Sequence, residues 1–301
     1  MKLWKVGKVK KVYEVSPTEL EFEFTDKISV FDKIIPSLIP RKGETLCRTS
    51  VYWFQRAHAM GIKTHFKEMK APNRMRVSRV KIRESPSQSD TDYLVPLEFI
   101  ARYYMAGSLL DRVKAGDIAP VSLGLTRVEY GTPLPDPFIE VTTKLEKVDR
   151  PLKKQEALHL AGLTSREYDE IVEIILKIDR DIDEQATKRG LIHVDGKKEF
   201  ALDSERDIMV VDTYGTADED RFWDRHSYEE GTCIELSKEV VRQYYRDTGY
   251  HKTLYDARAR RVPEPDIPPL PPDMVEKTSQ LYQELYTKIT GETLHESRSQ
   301  S

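Results

Sequence analysis

The stretch GLIHVDGKKEF, residues 190–200, constrains the fold more than any other part of the chain. Leu191, Ile192 and Val194 are strand formers and Phe200 closes the run, so the segment begins as a buried strand. Asp195, Lys197, Lys198 and Glu199 then bring two carboxylates and two ammonium groups into five residues. Such charges need partners if the strand starts in the core. The next apolar run, DIMVVD at 207–212, reads as a second strand, and DSER between them reads as the turn of a hairpin. With Leu202 opposite Asp207, Asp212 falls opposite Lys197. The two-residue period puts His193, Asp195, Lys197 and Glu199 on one face, and Asp212 joins them from the neighbouring strand. Three carboxylates then surround one lysine. That arrangement suits Mg²⁺ shared with phosphate oxygens, with the lysine neutralising a developing anion. The alternative is a solvated hairpin end whose ion pairs contribute little to stability.

The rest of the chain supplies a core for this strand. Of 301 residues, 39% are hydrophobic and 33% charged, enough for one large or two modest globular domains. A formal net charge of −3 gives no general basic field for nucleic acid, so charged ligands must be held by local clusters. Cys47 and Cys233 lack CxxC spacing, which excludes a zinc framework and fits a reducing compartment. With no apolar leader and no run of about eighteen apolar residues, the expectation is a soluble cytoplasmic protein without a membrane partner. Residues 1–94 read as strand-rich: ELEFEFTD sets Leu20, Phe22 and Phe24 against Glu19, Glu21 and Glu23. One helix, CRTSVYWFQRAHAMG at 47–61, interrupts them and stops at Gly61. The Ser- and Asp-rich RESPSQSDTD, 83–92, reads as a mobile insertion or boundary.

Residues 95–301 mix helices and strands. Thr164 and Glu167 have capping-box spacing, and Ile171, Ile174, Ile175, Ile178 and Ile182 line one face of a long helix that ends at Gly190. SKEVVRQYYRDTG, 237–249, repeats that design. VPEPDIPPLPPD, 262–273, is too rich in proline for helix or central strand and is expected to be an extended strap. A last helix turns Met274, Thr278, Leu281, Leu285 and Ile289 inward, and HESRSQS, 295–301, is expected to be disordered. There is no internal repeat.

Four further segments carry chemistry. VGKVKKVYEV, 6–15, offers a glycine with Lys8 and Lys10 on one face and Lys11 on the other. It is a phosphate cradle or an exposed basic edge strand, for neither a Walker loop nor GxGxxG occurs in the chain. PLEFIARYYMAGSLLDR, 96–112, offers Arg102 and the pair Gly107 and Ser108, which suit a phosphate monoester through a guanidinium fork, a hydroxyl and an open backbone N–H. TTKLEKVD, 142–149, adds Lys144 and Glu146 on one face, and ADEDRFWD, 217–224, sets Arg221 among acids, where a structural ion pair is the alternative.

In this order GKVKKVY, ISVFD (28–32), PLEFIARYYMAGS, TTKLE, GLIHVDGKKEF and DRFW resemble the motifs of the phosphoribosylaminoimidazole-succinocarboxamide synthase, or SAICAR synthetase, family. The C-terminal PPLPPDMVEKTSQLYQELYTKITGE is similar to that family's ending. The resemblance implies an α/β (α+β) two-lobed fold. An N-terminal antiparallel lobe (1–94), like the small lobe of protein kinases, would bind nucleotide, and an ATP-grasp-like C-terminal lobe (95–301) would carry the catalysis. It also implies a homodimer and an ATP- and Mg²⁺-dependent ligase that condenses the carboxylate of an aminoimidazole ribonucleotide (CAIR) with the amine of L-aspartate. Carried over by motif, Lys8, Lys10 and Lys144, with Glu146 beside it, would contact ATP, and Glu199 and Asp212 would hold the metal. Lys197 would face the reacting carboxylate, and Asp195 the ribose or metal. Arg102, Ser108 and Arg221 would take the substrate phosphate, and Ser29 and Asp32 would sit in a closing loop. The chain departs from the family in having Gly196 where phenylalanine is common, Ala201 after Phe200, and GTADED, 215–220, before Arg221. The last change leaves open a related ATP-dependent ligase for another acid or amine.

Overall fold

The computed structural model describes residues 1–146 and 149–294, so the expected disorder of 295–301 lies outside the described residues. The N-terminal part contains β1 (Lys2–Val6), β2 (Lys10–Ser16), β3 (Glu19–Phe24), β4 (Lys27–Val30), β5 (Lys33–Leu38), α1 (Lys42–Ala59), β6 (Phe66–Ala71) and β7 (Arg74–Ser78). Five of these strands form an antiparallel sheet in the order β1-β2-β3-β7-β6, and β4 and β5 make a separate hairpin. The alternation read in β3 holds for Leu20 and Phe24, which are buried. Glu21 is buried too, because β3 lies inside the sheet and the guanidinium groups of Arg74 and Arg76 on β7 cover its carboxylate at 3.5 and 3.2 Å. Helix α1 starts earlier than the apolar spacing indicates. Arg41, in the left-handed region at φ 63°, turns the chain into it. Gly43 lets it sit directly on β3, since a Cβ there would lie 2.6 Å from the carbonyl oxygen of Phe24.

The second part begins with β8 (Tyr93–Leu94), β9 (Leu97–Tyr104), α2 (Gly107–Ala115), β10 (Pro133–Thr143), α3 (Lys154–Ala161) and α4 (Ser165–Thr187). It continues with β11 (Leu191–Leu202), β12 (Ile208–Val211), β13 (Asp220–Asp224), α5 (Arg225–Glu229), α6 (Glu239–Asp247), α7 (Tyr250–Arg260) and α8 (Pro272–Thr290). Strand β11 is the axis: β9 and β13 flank its first half, and β8 and β12 its second, all antiparallel. Helix α4, closed by the Thr164–Glu167 capping box, lays Ile171, Ile175, Ile178 and Ile182 against the sheet. The proline strap is as expected: it buries Ile267 and Leu270, and Tyr245 and Tyr250 donate to the carbonyls of Pro268 and Pro265. One apolar core runs from Leu20 to Ile289 and so includes residues of both sheets. Among the described residues no helix is long and apolar enough to cross a membrane.

Three local expectations need correction. Segment 83–92 is tied down rather than free: Arg206 donates to the carbonyl of Asp90, and Pro86 packs so closely on Gly162 that a Cβ there would lie 2.6 Å from the Pro86 oxygen. In the hairpin, Leu202 faces Ile208 and Glu199 faces Val211, a slip of one residue from the expected register. A one-residue slip would turn Asp212 to the other face, but it lies just past β12 at φ 60° and leaves the pleat. Finally, a register shift between His193 and Asp195 against β13 breaks the two-residue period, so His193 belongs to the rear face.

His65 joins the two sheets. Its N–H donates to Val210, its ring lies between Phe22 and Phe54, and its Nε2 is 3.2 Å from the carbonyl oxygen of Asp212. Burial pushes its pKa down to about 4. The fold therefore prefers neutral imidazole: this contribution is complete above the unfolded value near pH 6.5 and is lost as pH falls toward 4. We expect the stability of wild type relative to His65→Phe, measured by urea unfolding, to fall by up to about 1.4 kcal/mol per pH unit across that window. A constant difference from pH 7 to 4.5 would show that His65 does not set this dependence.

Candidate functional site

Asp195 on β11 pairs in register with Arg102 of β9 on one side and Arg221 of β13 on the other. Arg102 reaches Asp195 at 3.4 Å, Glu140 of β10 at 2.9 Å and the Ser108 hydroxyl at 3.0 Å. Arg221 pairs with Asp195, with Glu239 of α6 at 3.0 Å and with Glu235 at 3.5 Å. Burial opposes the charge of Arg221, yet Asp195, Glu239 and Glu235 hold its pKa well above the ordinary value. Burial likewise opposes ionisation of Glu239, but Arg221, Arg242 and Arg246 bring its pKa to about 2. Ser108 lies in the first turn of α2, which has no side-chain cap and no acidic residue in that turn. Gly107 is required there: its φ is 53°, and a Cβ would lie 2.8 Å from Arg221 Nη2. Two guanidinium groups, a hydroxyl and open N–H groups thus converge beside a cavity of about 640 Å³, lined in part by Gly107, Arg221, Glu239 and Arg246. This chemistry suits a phosphate monoester.

Further along the same face, Lys197 Nζ lies 3.1 Å from Glu98, 3.2 Å from Glu199 and 3.2 Å from Glu219. Lys144, just past β10, pairs with Glu199 at 2.5 Å and Glu98 at 3.5 Å. Lys10 of β2 pairs with Asp212. Burial disfavours the charge on Asp212 and Glu199, but Lys10, Lys144 and Lys197 outweigh it for Asp212, and Lys197 and Lys144 for Glu199, so both carboxyls titrate below the usual range. For Lys197 burial is overcome by Glu219, Glu199 and Glu98, and its pKa rises well above that of free lysine. Glu98 moves the other way, upward, because burial dominates. The charged cluster closes one end of a cleft whose other walls include Val12, Phe22, Ile82 and Leu94. An apolar slot ending in lysines and carboxylates suits a nucleobase followed by phosphates.

The expected residues therefore divide into two groups. Arg102, Ser108, Arg221 and Asp195 form one; Lys10, Lys144, Lys197, Glu199 and Asp212 form the other. Lys197 is ringed by three carboxylates, but they are Glu98, Glu199 and Glu219 rather than Asp195, Glu199 and Asp212, because Asp195 is drawn to its two cross-strand arginines. Lys8 and Asp32 pair with each other at 2.5 Å and are largely exposed. Among the described residues no hydrogen bond or ion pair joins Ser29 of β4 to either group. Glu146 is also outside them: past the end of β10 it points to solvent and pairs with Arg150 at 3.4 Å. Glu98 was legible, since the two-residue period puts it on the face of Arg102. Glu239, Arg242 and Arg246 recur at helical spacing along a segment whose apolar residues suggested packing alone.

A different set of possible ligands lies on the rear face, where groups of Asp179, His193 and Asp220 come within 4.8 Å of one another. The ammonium of Lys198 already pairs with Asp179 and lies 4.0 Å from Asp220. That built-in cation makes the rear cluster a poor metal site. Glu199 and Asp212, both ionised and at the phosphate end of the cleft, are the better pair for a hard divalent cation.

The family model for SAICAR synthetase matches residues 3–257. The phosphoribosylaminoimidazole-succinocarboxamide synthase of Thermoplasma volcanium is 56% identical over 293 residues, covering 97% of this chain and 99% of that protein. The enzyme of the same name from Thermoplasma acidophilum is also 56% identical, with the same coverage. Among solved structures, a SAICAR synthetase in complex with ADP matches with a TM-score of 0.71 at 27% identity, covering 98% of this chain and 100% of that one. SAICAR-synthase from Saccharomyces cerevisiae, complexed with SAICAR, shares the fold at a TM-score of 0.76 and 24% identity, over 98% of this chain and 96% of that one. Motif order, fold and whole-length identity agree, and the chain belongs to the SAICAR synthetase family.

Proposed function

We propose that this chain joins CAIR to L-aspartate at the expense of ATP, forming SAICAR, ADP and phosphate. The observation that carries the reading is the front face of β11. Asp195, Lys197 and Glu199 follow one another along about 13 Å of strand, linking the arginine pocket to the nucleotide-shaped cleft with Lys197 between them. The family relatives support the same reaction. In this reading residues 1–94 form the nucleotide-binding lobe and 95–301 the catalytic lobe.

A carboxylate is a poor acylating agent, so ATP must first activate it. Arg102, Ser108 and Arg221 hold the ribonucleotide phosphate and Asp195 meets the ribose, which places the substrate carboxylate at Lys197. Lys8, Lys10 and Lys144 hold the ATP phosphates. A carboxylate oxygen attacks the γ-phosphorus, the bond to ADP breaks, and an acyl phosphate forms. The aspartate nitrogen then attacks the acyl carbon and loses a proton as phosphate leaves. Lys197 offsets the charge of the substrate carboxylate as it meets the triphosphate, and then the oxyanion that develops when the amine attacks. Glu199 and Asp212 would hold Mg²⁺, which when bound neutralises phosphate charge. Ser29 on β4 and Asp32 in the β4–β5 turn would lie on the hairpin that covers the substrates, with Asp32 at the rim through Lys8.

Glu199→Gln and Asp212→Asn are each expected to abolish most Mg²⁺-dependent turnover while circular dichroism remains native, because each removes an anionic oxygen ligand without changing shape. Near-normal rates in both at limiting Mg²⁺ would exclude the pair as the metal site. Arg102→Lys keeps a cation for Glu140 and Asp195 but loses the guanidinium fork. It should weaken CAIR binding by about 1.5–3 kcal/mol, with the ATP KM little changed; a rise in the ATP KM instead would move Arg102 to the other phosphate site. ADP release should be slow with ATP alone and full only with CAIR and L-aspartate together, and L-glutamate should be a poor substitute. Equal rates with an unrelated amine, or none with CAIR, would favour a ligase for another acid or amine, which the GTADED segment makes the specific rival.

A further inference from the structure

Segment 215–220 is firmly held. Trp53 Nε1 donates to the Gly215 carbonyl at 2.9 Å. Asp218 accepts from Lys42 at 2.9 Å and from the Tyr282 hydroxyl at 2.6 Å, and lies 3.6 Å from Lys238. Asp220 makes the third attachment, on the rear face of the sheet. One of its oxygens accepts the Gly215 N–H at 2.7 Å and the other lies 2.8 Å from His193 Nε2. Lys198 and, beyond it, Asp179 complete the buried cluster, with the Tyr103 hydroxyl donating to Asp179 at 2.8 Å.

Asp220 fits only because residue 196 is glycine. A Cβ at Gly196 would lie 2.0 Å from the Asp220 carboxylate and 3.0 Å from His193 Nε2. The residues on either side of Asp220 turn the other way, as strand alternation requires. Glu219 faces Lys197, and its carbonyl also accepts the Lys197 N–H at 3.4 Å. Arg221 faces Asp195 and the arginine pocket.

We propose that Asp220 is a positioning residue for the reaction: seated on His193 and Gly215 in the space left by Gly196, it fixes Arg221 in the phosphate pocket and Glu219 beside Lys197. This rests on the function proposed above. Asp220 touches no substrate; it acts through its two neighbours. The ATP-side residues Lys10 and Lys144 stand on other elements and do not depend on it. Displacing Asp220 should therefore impair use of the acid substrate far more than use of ATP, which simple loss of stability would not do.

The test is a cycle of Gly196→Ala, Asp220→Ser and the double variant, with melting temperature, kcat and both KM values measured for each. Each single change is expected to reduce kcat/KM for CAIR by roughly 10- to 100-fold, the scale of a misplacement of about 1 Å, with the ATP KM within about twofold. The smaller serine relieves the clash with an alanine at 196, so the double variant should be better than the product of the singles. If Gly196→Ala does not fold, Asp220→Ser alone still reads the split between the two substrates. Lowered melting temperatures with unchanged kinetic constants, or equal losses for CAIR and ATP, would overturn the proposal. If wild type shows no turnover with CAIR and L-aspartate, the functional reading fails and the positioning role is read by calorimetry with ribose 5-phosphate and ADP. Weaker binding of ribose 5-phosphate alone in the variants supports the role, and equal affinities for wild type and variants exclude it.

Discussion

Burying ionised side chains along one strand sets the terms for the rest of the molecule. His193, Asp195, Lys198 and Glu199 are all nearly inaccessible in β11, and an unpaired buried charge costs several kcal/mol. Several elements around this strand supply counter-charges. Arg102 comes from β9, Arg221 from β13, Lys144 from the end of β10 and Asp179 from α4. The pairs divide by face. Asp195, Lys197 and Glu199 look toward the cleft, whereas His193 and Lys198 look back toward α4. The shift between His193 and Asp195 separates the two sets, so one strand carries both a cleft-lining charged face and a buried ionic support.

Much of this was legible. The capping box and isoleucine stripe define α4, and the prolines exclude helix from the strap; both signals are local. The motif order identified the family and brought Arg102, Ser108 and Arg221 into one group before any contact was seen. What was hidden is non-local. Asp195 has two arginines as cross-strand partners because β9 and β13 both pair with β11, a topology that no spacing in the sequence encodes. The hairpin register could not be read either, since hydrophobic periodicity fits Leu202 against Asp207 or Ile208 equally well, and the left-handed Asp212 then undoes the consequence of the slip. Glu146 falls outside both groups because strand alternation stops at Thr143, where β10 ends.

The charge balance of the cleft bears on how its ligands enter. Lys10 and Lys144 are each neutralised by a protein carboxylate, Asp212 and Glu199 respectively. A triphosphate that draws those ammonium groups toward itself leaves Asp212 without its partner and the buried Glu199 with Lys197 alone, a state disfavoured by the same energetics that assembled the strand. A hard divalent cation between carboxylate and phosphate oxygens restores the balance. On this argument nucleotide and metal binding are coupled through the lysines, each favouring the other. Lys197 is less exposed to that competition because it retains Glu98 and Glu219 when Glu199 is engaged. In the proposed reaction it would therefore keep its place between the two pockets while the ATP side rearranges, so that the reacting carboxylate would meet a cation whose position does not depend on which phosphates are bound.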